Sequence, residues 1–258
     1  MLSEYFKRNK FAILFLFCSI FTISLYANLS YFFKNNPELL AFFPPFVEGV
    51  NRNHNKHLGA EYYFIAQSVA SGKGFSNPFQ DVDTGPTAWM PPLYVYFLAL
   101  LIKIFQSQLL VACCVVFLKN LVLILTGVLI YEIAKRTSIK IKAEFILLLY
   151  LLFLLSNFKW FFQLTHDSWL LLLFINSIFL LAVSIREKQI NVKMAIIWGV
   201  VGGLSMLASP IVGLVWFILC VINMPTNKNI RLLALSLVLF FLICIPWSIR
   251  NYWTAWGP

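Results

Sequence analysis

Two acids stand out in a chain that has few of them. Glu61 lies in AEYYFIAQSVAS (residues 60–71), and Asp167 lies in QLTHDSW (residues 163–169). Tyr62, Ile65, Ala66 and Val69 recur at helical spacing, so residues 60–71 read as a short amphipathic helix in the membrane interface. Glu61 falls at its start. A carboxylate there can act as general base on a hydroxyl while a lipid-borne group is presented from the bilayer. It can equally be an N-terminal acid favoured by the helix dipole. Asp167, beside His166, has a similar pair of readings: an N-cap for the following span, or a second acid facing the same external cavity. His54, His57 and Glu61 are spaced i, i+3, i+7, which on an unbroken helix would bring them to one divalent metal. Asn55 and Gly59 interrupt that helix, so a solvated loop competes with the metal site.

These residues must be positioned by a membrane-embedded frame. Of 258 residues, 60% are hydrophobic and 12% charged, with mean hydropathy +0.82. A soluble domain of this length has too little interior to bury that much apolar surface. In lipid each backbone group needs a partner within its own segment, which predicts an all-α polytopic membrane protein. The net charge of +10 does not indicate a nucleic-acid partner, because the basic residues flank apolar runs. Lys7, Arg8 and Lys10, then Lys135 to Lys142, then Arg186, Lys188 and Lys193, then Lys228 and Arg231 follow the positive-inside pattern. The five cysteines lie in apolar runs and read as small hydrophobes.

The apolar runs predict a single transmembrane domain over 1–258. Its first span covers 11–33 and is uncleaved, with the N-terminus cytoplasmic. An external loop with juxtamembrane helices follows over 34–106. Remaining spans occupy 107–247, and residues 248–258 form an external tail. Leu93–Phe105 is too short for a span and reads as a juxtamembrane helix. Further spans are expected at 109–134, 143–162, 168–185 and 232–246. Residues 194–224, with Gly202, Gly203 and Ser209-Pro210 at the middle, read as a tight hairpin of two short helices whose turn lies near Pro210 and faces out. Lys119 then falls in mid-span, facing other helices or a wet cavity. Glycines Gly72 and Gly74 end the 60–71 helix in a left-handed turn, and Thr84-Gly85-Pro86 marks another turn. Trp89, Tyr94, Trp160, Trp169, Trp247 and Trp253 suit an interfacial aromatic belt. No phosphate-binding glycine loop, dinucleotide fingerprint, HExxH or GxSxG is present, so ATPase, dehydrogenase, metalloprotease and serine hydrolase chemistry lack a motif.

Four stretches in order carry a family resemblance: EYYFIAQSVASGKGFSNPF, TGPTAWMPPLYVYFLALLIKIF, LASPIVGLVWF and IPWSIRNY. From about residue 55 onward the chain resembles the GT-C fold membrane glycosyltransferases of family 39, relatives of protein O-mannosyltransferases and of the lipid A aminoarabinose transferase. The resemblance implies a GT-C-like bundle in a bacterial inner membrane. It also implies transfer of a sugar from a polyprenyl-phosphate donor to an acceptor on the external face. Glu61 and Asp167 are the matches to the family's two loop acids. Lys73 and Arg250 would neutralise donor phosphate. Tyr62 and His166 would be substrate contacts. The chain departs from the family at Leu58 and Gly59, where relatives carry acids. Relatives also continue beyond the RNY element, so the resemblance implies a shortened enzyme or a second polypeptide supplying the rest. The alternative reading is a non-catalytic or partner-dependent module that binds polyprenyl lipid. A solute transporter is a third reading, suggested by the break at Ser209-Pro210.

Overall fold

The computed structural model describes residues 10–34, 60–79, 83–88, 90–136, 142–158, 161–162, 167–223 and 229–256. Among these the regular structure is helical: α1 (Lys10–Lys34), α2 (Ala60–Ala70), α3 (Pro92–Phe105), α4 (Gln108–Arg136), α5 (Ala143–Ser156), α6 (Ser168–Lys188), α7 (Val192–Ala208), α8 (Pro210–Asn223) and α9 (Ile230–Trp256). Four of them, α1, α4, α6 and α9, are long and apolar enough to cross a bilayer. The protein is an all-α polytopic membrane protein. The chain divides into two compact units, one holding α1, α4 and α5, the other α2, α3, α6 from Leu170 onward, and α7 to α9.

In the first unit α1 packs on α4 and α4 on α5. Ala12, Leu16, Ile20 and Ser24 repeat every four residues on α1 and are all buried, whereas Leu14, Phe15 and Phe17 between them are exposed. Outward-facing apolar side chains are what lipid solvates, so helix association here rests on packing and hydrogen bonds. Gly127 of α4 is the point of closest approach. A Cβ there would lie 2.8 Å from Leu16 Cδ1 and 2.9 Å from Tyr150 Cε1. The Tyr150 hydroxyl donates to the Leu123 carbonyl at 2.8 Å, and the Tyr131 hydroxyl to Glu144 Oε1 at 3.2 Å, so α5 is tied to α4 twice. Helix α5 is shorter than the expected 143–162 span. It ends at Ser156, where Asn157 caps it with its backbone N–H on the Leu155 and Phe153 carbonyls. Fourteen residues rise about 21 Å, less than the roughly 30 Å of a hydrocarbon core.

In the second unit the expected hairpin over 194–224 is present, with its turn beside Pro210 as the sequence indicates. Gly202 and Gly203 sit inside α7, and the chain turns at Ser209, whose backbone is extended. Pro210 opens α8, where its fixed φ and missing N–H cost least. The glycines serve helix contact instead of chain reversal. A Cβ on Gly199 would lie 2.6 Å from the Ser236 carbonyl oxygen, and one on Gly203 would lie 2.7 Å from Ile243 Cβ. Both clashes are with α9. A Cβ on Gly202 would enter the Trp216 indole of α8. Trp216 stacks on Phe240 at 4.8 Å with rings 2° from parallel, and Trp198 adjoins Trp216 at 5.4 Å. Ser236 Oγ closes the contact by donating to the Ala195 carbonyl at 2.9 Å. Asn191 caps α7, its Oδ1 accepting from the Met194 N–H at 2.9 Å.

One further boundary changes. Helix α9 runs past Pro246 to Trp256, so residues 248–256 are helical where a tail was expected. Proline inside a membrane helix is tolerated when local adjustments re-satisfy the freed backbone groups. Helix α3 matches the expected short piece, opened by Pro92.

Candidate functional site

Helix α2 holds Glu61 in its first turn. An amphipathic interfacial helix would leave one face in solvent or headgroups. Instead Glu61, Tyr62, Tyr63, Ile65, Ala66 and Ser68 are all buried, and Gln67 is exposed. Protein covers most of the helix, and Gln67 marks its open side. Glu61 is 9% exposed, and among the described residues its carboxylate accepts no hydrogen bond. Tyr62 packs edge-on against Tyr94 of α3, with ring centroids 5.2 Å apart. Burial raises the Tyr63 phenol above its ordinary value, and its hydrogen bond with Gln67 offsets some of this. The phenol therefore stays neutral at physiological pH.

The end of α2 follows the sequence expectation. Gly72 and Gly74 adopt φ of +83° and +76°, and the Lys73 N–H donates to the Ser68 carbonyl at 2.9 Å. The Lys73 side chain is exposed. Ser76 Oγ donates to the Lys73 and Gly74 carbonyls at 3.3 and 3.4 Å.

Beyond this turn the chain pairs with itself. Ser76 and Pro86 form an antiparallel bridge. The Thr87 N–H donates to the Phe75 carbonyl and the Asn77 N–H to the Gly85 carbonyl, both at 3.1 Å. Asn77 takes a left-handed backbone, φ 55°, and its Oδ1 accepts from the N–H groups of Thr84 and Gly85 at 3.1 and 2.9 Å. Gly85, φ +71°, completes the turn expected at Thr84-Gly85-Pro86. Asparagine tolerates this conformation because its short amide can bond local backbone. The Ser-Asn-Pro triplet at 76–78 is the one sequence signal for Asn77, a residue that motif reasoning misses.

Arg250, on α9, reaches this paired neck. Its guanidinium donates to the Phe75 carbonyl at 2.7 Å, to the Thr87 carbonyl, and to Asn251 Oδ1 at 3.0 Å. It also lies over the rings of Phe75 and Trp247, at 5.0 and 4.9 Å. The expectation that Arg250 stands ready for phosphate is therefore met by a guanidinium engaged with backbone carbonyls and two aromatic faces.

Asp167 immediately precedes α6 and is 4% exposed. It belongs to the first unit, Glu61 to the second. His54, His57 and His166 lie outside the described residues. Among the described residues no group of three His, Cys, Asp or Glu side chains could hold a metal ion.

The first unit contains a polar feature whose partner only the fold reveals. Lys119 is 1% exposed, and its Nζ donates to the Phe162 carbonyl at 3.3 Å. Phe162 lies in a π-helical turn beyond the end of α5, so the mid-span Lys119 side chain serves backbone outside the α-helical ladder. Such backbone is tolerated at membrane depth where protein buries it. Of the aromatic belt residues, Trp253 is exposed as a belt residue should be, whereas Tyr94 and Trp169 are buried in protein. Trp89 and Trp160 lie outside the described residues.

Comparison of the chain with family models, curated proteins and solved structures gives no match.

Proposed function

We propose that this protein transfers a sugar from a polyprenyl-phosphate donor to an acceptor hydroxyl on the external face of a bacterial inner membrane, with its N-terminus in the cytoplasm. The observation that carries the reading is Glu61. It is a buried carboxylate with no hydrogen-bond donor among the described residues, in the first turn of a short, largely covered helix that follows the first span. A largely covered carboxylate left with acceptor capacity suits proton abstraction from a hydroxyl placed against it. The basic residues Lys135 and Arg136 close α4. Assigning them to the cytoplasm puts Glu61 outside.

In the proposed step the acceptor oxygen forms a bond to the anomeric carbon as the bond from that carbon to the phosphate oxygen breaks. Glu61 receives the acceptor proton. The polyprenyl phosphate leaves with the bonding pair, and exposed Lys73 balances its charge. Tyr62, held by Tyr94, helps fix the helix that carries Glu61. No step is assigned to Asp167.

The test uses membranes containing the full chain and a labelled polyprenyl-phosphate sugar. Wild type should transfer label. Glu61→Gln should lose at least about a hundredfold in rate, the scale of general-base catalysis, while Glu187→Gln, at an exposed acid, should be unchanged. Asp167→Asn is measured in parallel. Equal rates for Glu61→Gln and wild type would end the assignment. Donor binding without transfer would replace it with the lipid-binding module, and transfer only on addition of a second polypeptide would make the activity partner-dependent.

A further inference from the structure

Arg250 makes more directed contacts with the 75–87 neck than any other side chain described in α9, and its geometry suits one particular task. The Phe75 carbonyl accepts from both the Thr87 N–H and the Arg250 guanidinium, at 3.1 and 2.7 Å. The Thr87 carbonyl accepts from the same guanidinium. One planar cation thus bonds both chains of the neck at their last pair. Phe75 and Trp247 wall it, and their rings meet edge-on at 4.8 Å. Trp247 lies three residues before Arg250 on α9, so ring and cation share one side of that helix.

We propose that Arg250 is a positioning residue. It fastens the paired neck, Phe75–Asn77 with Gly85–Thr87, to the C-terminal end of α9. This fixes the stance of Lys73, two residues upstream, and Arg250 itself is not a phosphate ligand. The link from Lys73 to phosphate rests on the proposed transferase reading; the fastening does not. Three of the five Arg250 N–H donors serve the Phe75 and Thr87 carbonyls and Asn251 Oδ1, and the rings of Phe75 and Trp247 lie against it, so most of its bonding capacity is committed to the neck and to α9. The role depends on the planar fork and on stacking, neither of which a lysine reproduces.

The two roles predict opposite results for the conservative substitution. If Arg250 were a phosphate ligand, Arg250→Lys would keep much of its function and Trp247 would be irrelevant. For a fastener, Arg250→Lys should behave like Arg250→Ala, and Trp247→Leu should err in the same direction.

The experiment measures amide hydrogen exchange in the full chain reconstituted in lipid nanodiscs, with and without added polyprenyl phosphate. The reporters are the hydrogen-bonded N–H groups of Asn77 and Thr87. Arg250→Lys and Arg250→Ala should both speed exchange there by about tenfold or more, the scale of losing a charge-assisted hydrogen bond. Trp247→Leu should speed it by a smaller factor, and Lys73→Gln should leave it unchanged. Exchange across residues 199–203 of α7 should stay slow in every variant, which separates neck release from unfolding. Wild-type neck exchange in Arg250→Lys would overturn the proposal. So would faster neck exchange when polyprenyl phosphate is added to wild type, since the lipid would then be taking Arg250 from the neck. If Arg250→Lys fails to fold, Trp247→Leu decides, and unchanged neck exchange in it overturns the proposal. Because these readouts need no turnover, absence of sugar transfer would refute the transferase reading and leave the fastening intact.

Discussion

The two compact units hold their helices together by different means. In the unit of α1, α4 and α5, one glycine, Gly127, admits Leu16 and Tyr150, and hydrogen bonds from Tyr150 and Tyr131 tie α5 down. In the α7–α9 assembly four glycines, Gly199, Gly202, Gly203 and Gly213, are each in close contact, and an aromatic stack of Trp198, Trp216 and Phe240 fills the space beside them. Lipid tails are as apolar as leucine, so burial alone draws no helices together in a bilayer. Close backbone approach gains dispersion and polar ties gain hydrogen bonds. The first unit relies more on polar ties and also carries buried Lys119, Asn120 and Glu132; the second relies on close contact. Beyond the end of α5, the Phe162 carbonyl finds its partner in Lys119. Dense packing leaves α7–α9 a firm base for the neck that Arg250 holds.

The contrast can be broken most severely at Gly202. Gly202→Leu should cost about 3 kcal/mol or more through overpacking against Trp216. Steric-trap or thermal unfolding in detergent should detect it, with protection lost across α7–α9 and retained in α4. Gly127→Leu is the mirror experiment. A loss of about 2 kcal/mol is expected, confined to α1, α4 and α5, and a uniform loss across both units would deny that they are separate packing units. Next in size, Tyr150→Phe should cost about 1 kcal/mol, the usual worth of one hydrogen bond. No measurable change there would mean that Gly127 packing, and not the polar tie, holds α5. The smallest effect is sought at Asn191→Ala. Loss of the α7 cap should cost about 1 kcal/mol at most, read as faster exchange in the first turn of α7 with the Trp216 stack undisturbed.

Much of the frame was legible in the sequence because hydropathy and backbone chemistry are local. The runs that became α1, α4, α6 and α9 could be nothing but helices in lipid. Pro92 and Pro210 marked helix starts because proline lacks the N–H that a first turn does not use. Gly72, Gly74 and Gly85 marked turns because only small φ-permissive residues sit there cheaply. The failures share a cause. Gly202 and Gly203 read as breakers, since a sequence does not show whether a glycine bends a chain or receives a neighbour. Pro246 read as the end of a span, yet α9 continues to Trp256. Residues 60–71 read as half-exposed because their periodicity says which side is apolar, not how many sides are covered.

At the candidate site the division is sharper. The sequence alone determined that the chain is a helical membrane protein and that Glu61 begins a short helix. Those conclusions follow from composition and from spacings of a few residues. Only the tertiary structure decided that Glu61 is buried, that Lys119 serves the Phe162 carbonyl, and that Arg250 grips residues 75 and 87. Each of these joins groups far apart in sequence. A guanidinium's partners depend on which carbonyls the fold brings within hydrogen-bonding reach, and no local pattern encodes that.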